Sequence, residues 1–198
     1  MIKFKKETVS DRFNDQLQIF LDLDIQVNGK YWLAGGALRH IFGCESPIDD
    51  FDLFFDNMIT AAEVGLALED KGFNCVFTCP LGELKTYKSF DHEGMKIQLI
   101  TKNFYPDMKH VISLFDINAC CIAYDGEFLV TTRSAIRDIK KKRVTLNDIV
   151  APNATFKRML KYQNKGYRVT SDAVDFFTRW VYDRGTTGDS MDVRFYID

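Results

Sequence analysis

The sequence predicts an α/β protein, on three observations. Tyr31 to Ala34 is a short apolar run of the kind a buried strand gives, and Gly35 and Gly36 end it. Ala37, Leu38, Ile41 and Phe42 then repeat at helical spacing until Gly43 supplies a stop. Thirteen residues separate Gly36 from Asp50-Phe51-Asp52-Leu53-Phe54, where carboxylates and apolar side chains alternate as on a half-buried strand. The remaining segments are read against this strand, turn, helix, loop and strand.

A strand that breaks at glycines into a helix N-terminus offers close backbone approach, free amide N–H groups and a positive dipole end, which together suit phosphate. On the second strand Asp50 and Asp52 point to one face and Phe51 and Leu53 to the other. Two carboxylates held side by side repel, and a hard divalent cation such as Mg²⁺ relieves them while also taking phosphate oxygens of a substrate. A triphosphate cradle beside a metal clamp makes a nucleotidyl-transfer site. Taken alone, a glycine pair is most often a turn and an Asp-x-Asp most often a solvated strand end; their order along the chain is what carries the reading.

The other elements follow in order. Residues 10 to 21 read as an amphipathic helix capped by Ser10, with Phe13, Leu17, Phe20 and Leu21 on one face. Its end carries a second Asp-x-Asp, Asp22 and Asp24, which precedes the glycines and reads as a solvated helix end. Residues 59 to 72 read as a helix closed by Gly72, followed by strands over 74–78, 85–90 and 95–100. Residues 106 to 124 read as two helical segments, with a turn at Tyr124 to Glu127 leading into a strand at 128–130. A basic helix is expected over 133–143, then one capped by Asn153 and ended by Gly166, then one capped by Ser171 with Ala173, Val174, Phe177, Trp180 and Val181 at core spacing. The tail from Arg184 to Asp198 reads as a loop and a short strand. There are no internal repeats and no low-complexity linker.

The 198 residues suffice for a sizeable core. No apolar run is long enough to cross a membrane and MIKFKKETVS lacks a signal-peptide core, so a cytoplasmic protein is expected. Cys44, Cys75, Cys79, Cys120 and Cys121 are odd in number without a CxxC pair, which points to reduced, mostly buried thiols. His40, His92 and His110 stand in no arrangement with a Ser or Cys that suits nucleophilic catalysis, and Lys85 and Lys88 read as exposed strand lysines. The net charge of −2 hides an asymmetry, because residues 133–168 hold eleven Lys and Arg against Asp138 and Asp148. That segment is either a solvated face or a surface for a phosphate-rich partner.

GGALRHIFG followed by DDFDLF resembles the signature of the nucleotidyltransferase superfamily of DNA polymerase beta, and most of all the head domain of class II tRNA CCA-adding enzymes and bacterial poly(A) polymerases. That branch reads GGxVRDxLLG and then DxD; Gly35, Gly36, Arg39, Gly43, Asp50 and Asp52 match, and His40 replaces an aspartate. The resemblance spans roughly residues 30 to 170 and implies a head with a mixed, mostly antiparallel sheet flanked by helices (1–131), then a basic helical neck and tail (132–198). It implies that Gly35 and Gly36 grip an NTP, that Asp50 and Asp52 hold Mg²⁺ or Mn²⁺ for catalysis, and that Arg39 neutralises phosphate. KRMLKYQNKGYRV resembles the neck helix RxxRFxxxxGF, with Arg158 and Lys161 at its basic places. The superfamily's third acidic residue falls at Gln98, which leaves a two-carboxylate site or an inactive one. Of the family's RRDFTINA only Asp116 and its followers survive, so Asp116 is either a nucleotide contact or a helix cap. The base-reading EDxxR element is not recognisable. An RNA 3′ end is the first acceptor implied, with a protein or small-molecule acceptor, or a non-catalytic nucleotide or RNA binder, as alternatives.

Overall fold

The computed structural model describes residues 1–89, 91–92, 94–149 and 151–186. Strand β1 (Ile2–Lys5) alternates half-buried Ile2 and Phe4 with exposed lysines. It is an edge strand not expected from the sequence, although its apolar–lysine alternation has the strand period of two. The first helix is shorter than expected. Residues 10–12 form a 3₁₀ turn, Phe13 is extended, and α1 (Asp15–Leu21) begins where Asn14 Oδ1 accepts the Leu17 N–H at 3.0 Å. Asn14, not Ser10, is therefore the cap.

Strand β2 (Tyr31–Ala34) runs into the glycines as expected, but Gly36–Phe42 is a 3₁₀ segment and not an α-helix. Within it Arg39 Nε donates to the Gly36 carbonyl at 3.0 Å, and Gly43 ends it in the left-handed region at φ 93°. β3 (Phe51–Phe55) carries Asp52, and α2 (Met58–Asp70) follows with Asn57 as its cap. β4 (Asn74–Thr78), β5 (Leu84–Lys88) and β6 (Lys96–Ile100) fall close to their expected places; the expected end of the middle strand, Phe90, lies outside the described residues.

The second half departs further. Only α3 (Met108–Ser113) of the 106–124 stretch is an α-helix; a 3₁₀ turn at Asn118–Cys120 leads into strand β7 (Ile122–Tyr124), which hairpins to β8 (Phe128–Thr131). The apolar run Cys120–Tyr124 is buried throughout, and its strand part Ile122–Tyr124 pairs with neighbours on both sides, so it has no polar positions to mark its period. The basic helix α4 (Arg133–Lys140) ends at Lys141 and Lys142, and β9 (Arg143–Val144) follows. α5 (Pro152–Asn164) starts two residues earlier than expected, with Pro152 in its first turn and Asn153 inside it, so Asn153 caps nothing. After β10 (Arg168–Val169), α6 (Ser171–Thr186) is capped by Thr170, whose hydroxyl accepts the Ala173 N–H at 3.2 Å, and not by Ser171. Of the tail, 187–198 lies outside the described residues.

The eight-stranded sheet has the order β1-β8-β7-β2-β3-β6-β5-β4 and is antiparallel except between β3 and β6; β9 and β10 form a separate parallel pair. The fold is thus the mixed, mostly antiparallel α/β class. Register sets its two faces: Leu53 stands opposite Leu99, and α2 covers that side, where a Cβ on Gly65 would lie 3.7 Å from Leu99. Asp52 stands opposite Gln98 on the other side, beneath a cavity. No helix among the described residues is long and apolar enough to cross a membrane.

Candidate active site

The cavity, of about 270 Å³, opens over the Asp52 face of the sheet and is closed from the opposite side by α5. Its floor is Asp50, just before β3, Asp52 and Phe54 from β3, and Gln98 and Ile100 from β6. Alternation along β3 does what the sequence predicts: Phe51 turns away to stack on Phe20 at 4.6 Å, and the two carboxylates share the cavity side. The glycine turn abuts them. A Cβ on Gly35 would sit 3.6 Å from Asp52 Oδ2 and 3.2 Å from the Phe115 ring, and Gly35 has φ +86°, which L side chains rarely adopt. Gly36 also lines the cavity, but its surroundings leave room, with the nearest atom to a Cβ at 3.8 Å. The pair divides its labour: Gly35 makes the turn possible and Gly36 leaves the cavity wall bare.

The basic residues expected to meet phosphate are brought to the cavity, each already engaged. Arg39 is buried at 4% exposure, lies 4.7 Å over the Tyr162 ring and 5.6 Å from that of Tyr167, and reaches the Tyr167 hydroxyl at 3.4 Å. Burial pushes the Tyr167 phenol up to about 12 and Tyr162 further, so Arg39 faces two neutral rings across physiological pH. Arg158 makes a fork on Asp116, with Nε at 2.9 Å and Nη2 at 2.6 Å from Oδ2. Asp116 is buried and also accepts from the Thr155 hydroxyl at 2.7 Å and its neighbour Ile117 N–H at 2.9 Å. It therefore ties the loop after α3 to α5, and it caps no helix.

Lys161 and Lys165 reach across to Asp49, at 3.7 and 2.5 Å. Burial alone would raise the Asp49 carboxyl, but the hydrogen bond and charge of Lys165, with Lys161 behind it, outweigh that and hold it below the usual carboxylate range. Sequence reasoning misses Asp49 and Lys165. The available signals are a third acid directly before Asp50 and a lysine one helical turn after Lys161. It misses the aromatic wall too: Phe54 meets Phe115 at 5.7 Å and Tyr105 at 6.1 Å, both edge-on. The five cysteines are free, with Cys44, Cys120 and Cys121 buried and Cys75 exposed. Asp22 and Asp24 lie away from the cavity lining.

The donor set suits a hard divalent cation. Two carboxylates and a neighbouring amide oxygen offer only oxygen ligands, and the described residues contain no cluster of three or more His, Cys, Asp or Glu that would make an all-protein cage. Mg²⁺ fits such a half-site, because it keeps waters and takes the rest of its shell from substrate phosphates.

The fold and this cavity define a nucleotidyltransferase-like architecture. A CCA-adding enzyme solved with CTP superposes with a TM-score of 0.69 at 15% identity, over 94% of this chain and 48% of that one. The Thermotoga maritima CCA-adding enzyme complexed with tRNA gives 0.67 at 14%, over 92% and 46%. A tRNA nucleotidyltransferase complexed with a primer tRNA and an incoming ATP analogue gives 0.56 at 16%, over 77% and 47%. The chain spans about half the length of these proteins. No curated protein sequence matches it significantly. A family model matches residues 3–142, and the chain belongs to the Gabija anti-defense 2 family.

Proposed function

We propose that this protein is a metal-dependent nucleotidyltransferase that moves a nucleoside monophosphate from an NTP to an acceptor hydroxyl. The observation that carries the reading is the pair Asp50 and Asp52 on one strand face, with Asp52 3.6 Å from where a Gly35 Cβ would stand, on the floor of a cavity walled by basic and aromatic side chains. Mg²⁺ or Mn²⁺ held by Asp50 and Asp52 would polarise the α-phosphate and acidify the attacking hydroxyl. The backbone at Gly35 and Gly36 binds the triphosphate, and the wall of Phe54, Tyr105 and Phe115 excludes water from one side of the site. Arg39 and the α5 cations Arg158 and Lys161 offset phosphate charge. Asp116 positions Arg158, which makes it a positioning residue on this reading. The acceptor oxygen forms a new bond to the α-phosphorus, the bond to the α–β bridging oxygen breaks, the hydroxyl proton is released, and pyrophosphate leaves.

For the acceptor, the first reading is an RNA 3′ end, supported by the basic segment 133–168 and by the tRNA complexes among the similar structures. The second is a protein. It is favoured by the engagement of Arg158, Lys161 and Lys165 with acids, by the exposed Phe156, Leu160 and Phe176 on α5 and α6, and by the family description, under which a component of the opposed defence would be modified in the cytoplasm. The test is incubation with each α-³²P NTP, Mg²⁺ or Mn²⁺, total RNA and host-cell protein, with Asp50→Ala/Asp52→Ala as control. Label on RNA or on protein that vanishes in the variant decides between the acceptors. Label that persists in the variant, or no label with any NTP, would sink the enzymatic reading, and NTP binding without turnover would leave a binding module.

A further inference from the structure

The face that carries Asp50 and Asp52 also carries a cation of its own. β3 and β6 are parallel neighbours with Phe51 opposite Ile97 and Asp52 opposite Gln98, so the register brings Lys96 level with Asp50. Alternation turns Lys96 and Gln98 to the same side as the two carboxylates. Lys96 Nζ lies 3.3 Å from Asp50 Oδ2, with the two side chains 34% and 22% exposed, so the pair is shielded more than an ordinary surface contact. The ammonium does not fill the cavity. Asp50 lines the large cavity, whereas Lys96 lines a smaller neighbouring one of about 90 Å³ and approaches the carboxylate from that side. A carboxylate has two oxygens and about four acceptor positions, so one ammonium does not exhaust the capacity of Asp50, which still lines the large cavity. Asp50, Asp52, Lys96 and Gln98 together, two carboxylates with one ammonium and an uncharged amide, carry a formal charge of −1. One divalent cation takes these side chains to +1 and a second to +3, so a second ion is opposed until a triphosphate arrives.

Resting on the nucleotidyltransferase reading, we infer that Lys96 is a resident cation of the carboxylate pair, neutralising Asp50 so that the nucleotide-free site takes a single divalent ion, held chiefly by Asp52. Lys96 is thereby a positioning residue for Asp50 and sets the stoichiometry and affinity of metal binding. Gln98 belongs to the same arrangement, since a third carboxylate there would restore the charge that Lys96 removes.

The experiment is a Mn²⁺ titration of the nucleotide-free full chain, read by the electron paramagnetic resonance of unbound Mn²⁺, for wild type, Lys96→Met, Lys96→Glu and Asp52→Ala, with thermal melting to establish that each is folded. The expected result is at most one Mn²⁺ in the wild type and binding tightened tenfold or more, or a second ion, in Lys96→Met. Lys96→Glu should exceed Lys96→Met, and Asp52→Ala should lose the ion. If Asp52→Ala loses Mn²⁺ while both Lys96 variants match the wild type, the role of Lys96 is overturned and the metal site stands. If Asp52→Ala binds like the wild type, or if no folded form binds Mn²⁺, the carboxylate metal site itself falls and this inference falls with it.

Discussion

At the residue scale, the two glycines of the turn can be told apart by what a methyl group would meet. Gly35 combines φ +86° with a Phe115 ring atom 3.2 Å from where an added Cβ would stand, so Gly35→Ala must strain the backbone and push the ring that packs on Phe54. The expected loss is about 2 kcal/mol of stability, read by urea unfolding, within the range of a residue forced into a glycine-only conformation. Gly36→Ala meets nothing closer than 3.8 Å and should change stability by no more than about 0.5 kcal/mol. It places a methyl in the cavity wall, however, so NTP binding measured by equilibrium dialysis should weaken. Equal affinity in wild type and Gly36→Ala would show that the triphosphate does not approach the turn.

At the element scale, α5 is held over the cavity from two sides, by Asp116 through Arg158 and by Asp49 through Lys161 and Lys165. Arg158→Ala leaves a buried carboxylate without its fork, and the expected cost is about 3 kcal/mol, the low end of the range for breaking a buried pair because Arg158 is a quarter exposed. A loss below about 1 kcal/mol would mean that Thr155 and the Ile117 amide suffice for Asp116. The Asp49 tether should show in the pH dependence. Its folded pKa is depressed, so its contribution is fully present above the ordinary carboxylate value, near pH 4, and is lost as pH falls through the depressed one. Asp49→Asn should therefore flatten the acid limb of the stability profile while leaving its shape above pH about 5 unchanged; a parallel profile would contradict the tether.

At the scale of the whole molecule, the basic back half is less available than its composition suggests. Of the eleven cations between residues 133 and 168, six are in ion pairs: Arg137, Lys142, Arg143, Arg158, Lys161 and Lys165. Arg133, Lys140, Lys141, Lys157 and Arg168 have no acidic partner among the described residues. If those five carry the contacts to single-stranded RNA, the logarithm of the binding constant should fall with that of salt concentration at a slope of about −3.5. A slope near zero would remove the RNA reading and leave the protein acceptor.

What the sequence determined by itself is local. The strand at 31–34, the glycine break, the alternation that puts Asp50 and Asp52 on one face and the helices around Val64 and Met159 follow from periodicity and turn chemistry within about a dozen residues, and they sufficed for the fold class. Where the reading failed locally, a polar signal was missing or duplicated: the fully buried β7 had no alternation to read, Asn14 and Thr170 outcompeted nearby residues that cap equally well in isolation, and Pro152 began α5 ahead of Asn153 with no side-chain cap. Tertiary structure decided what the site residues touch. Asp116 and Arg158 stand 42 positions apart and Arg39 and Tyr167 128 apart, and no short-range pattern couples them. Lys96 meets Asp50 only because β6 lies parallel to β3 in one register, and a shift by one residue would have turned it to the other face. Residue type sets which charges are available, but strand pairing and helix docking set which of them meet, because the energy of a charge depends on neighbours that the chain brings together only on folding.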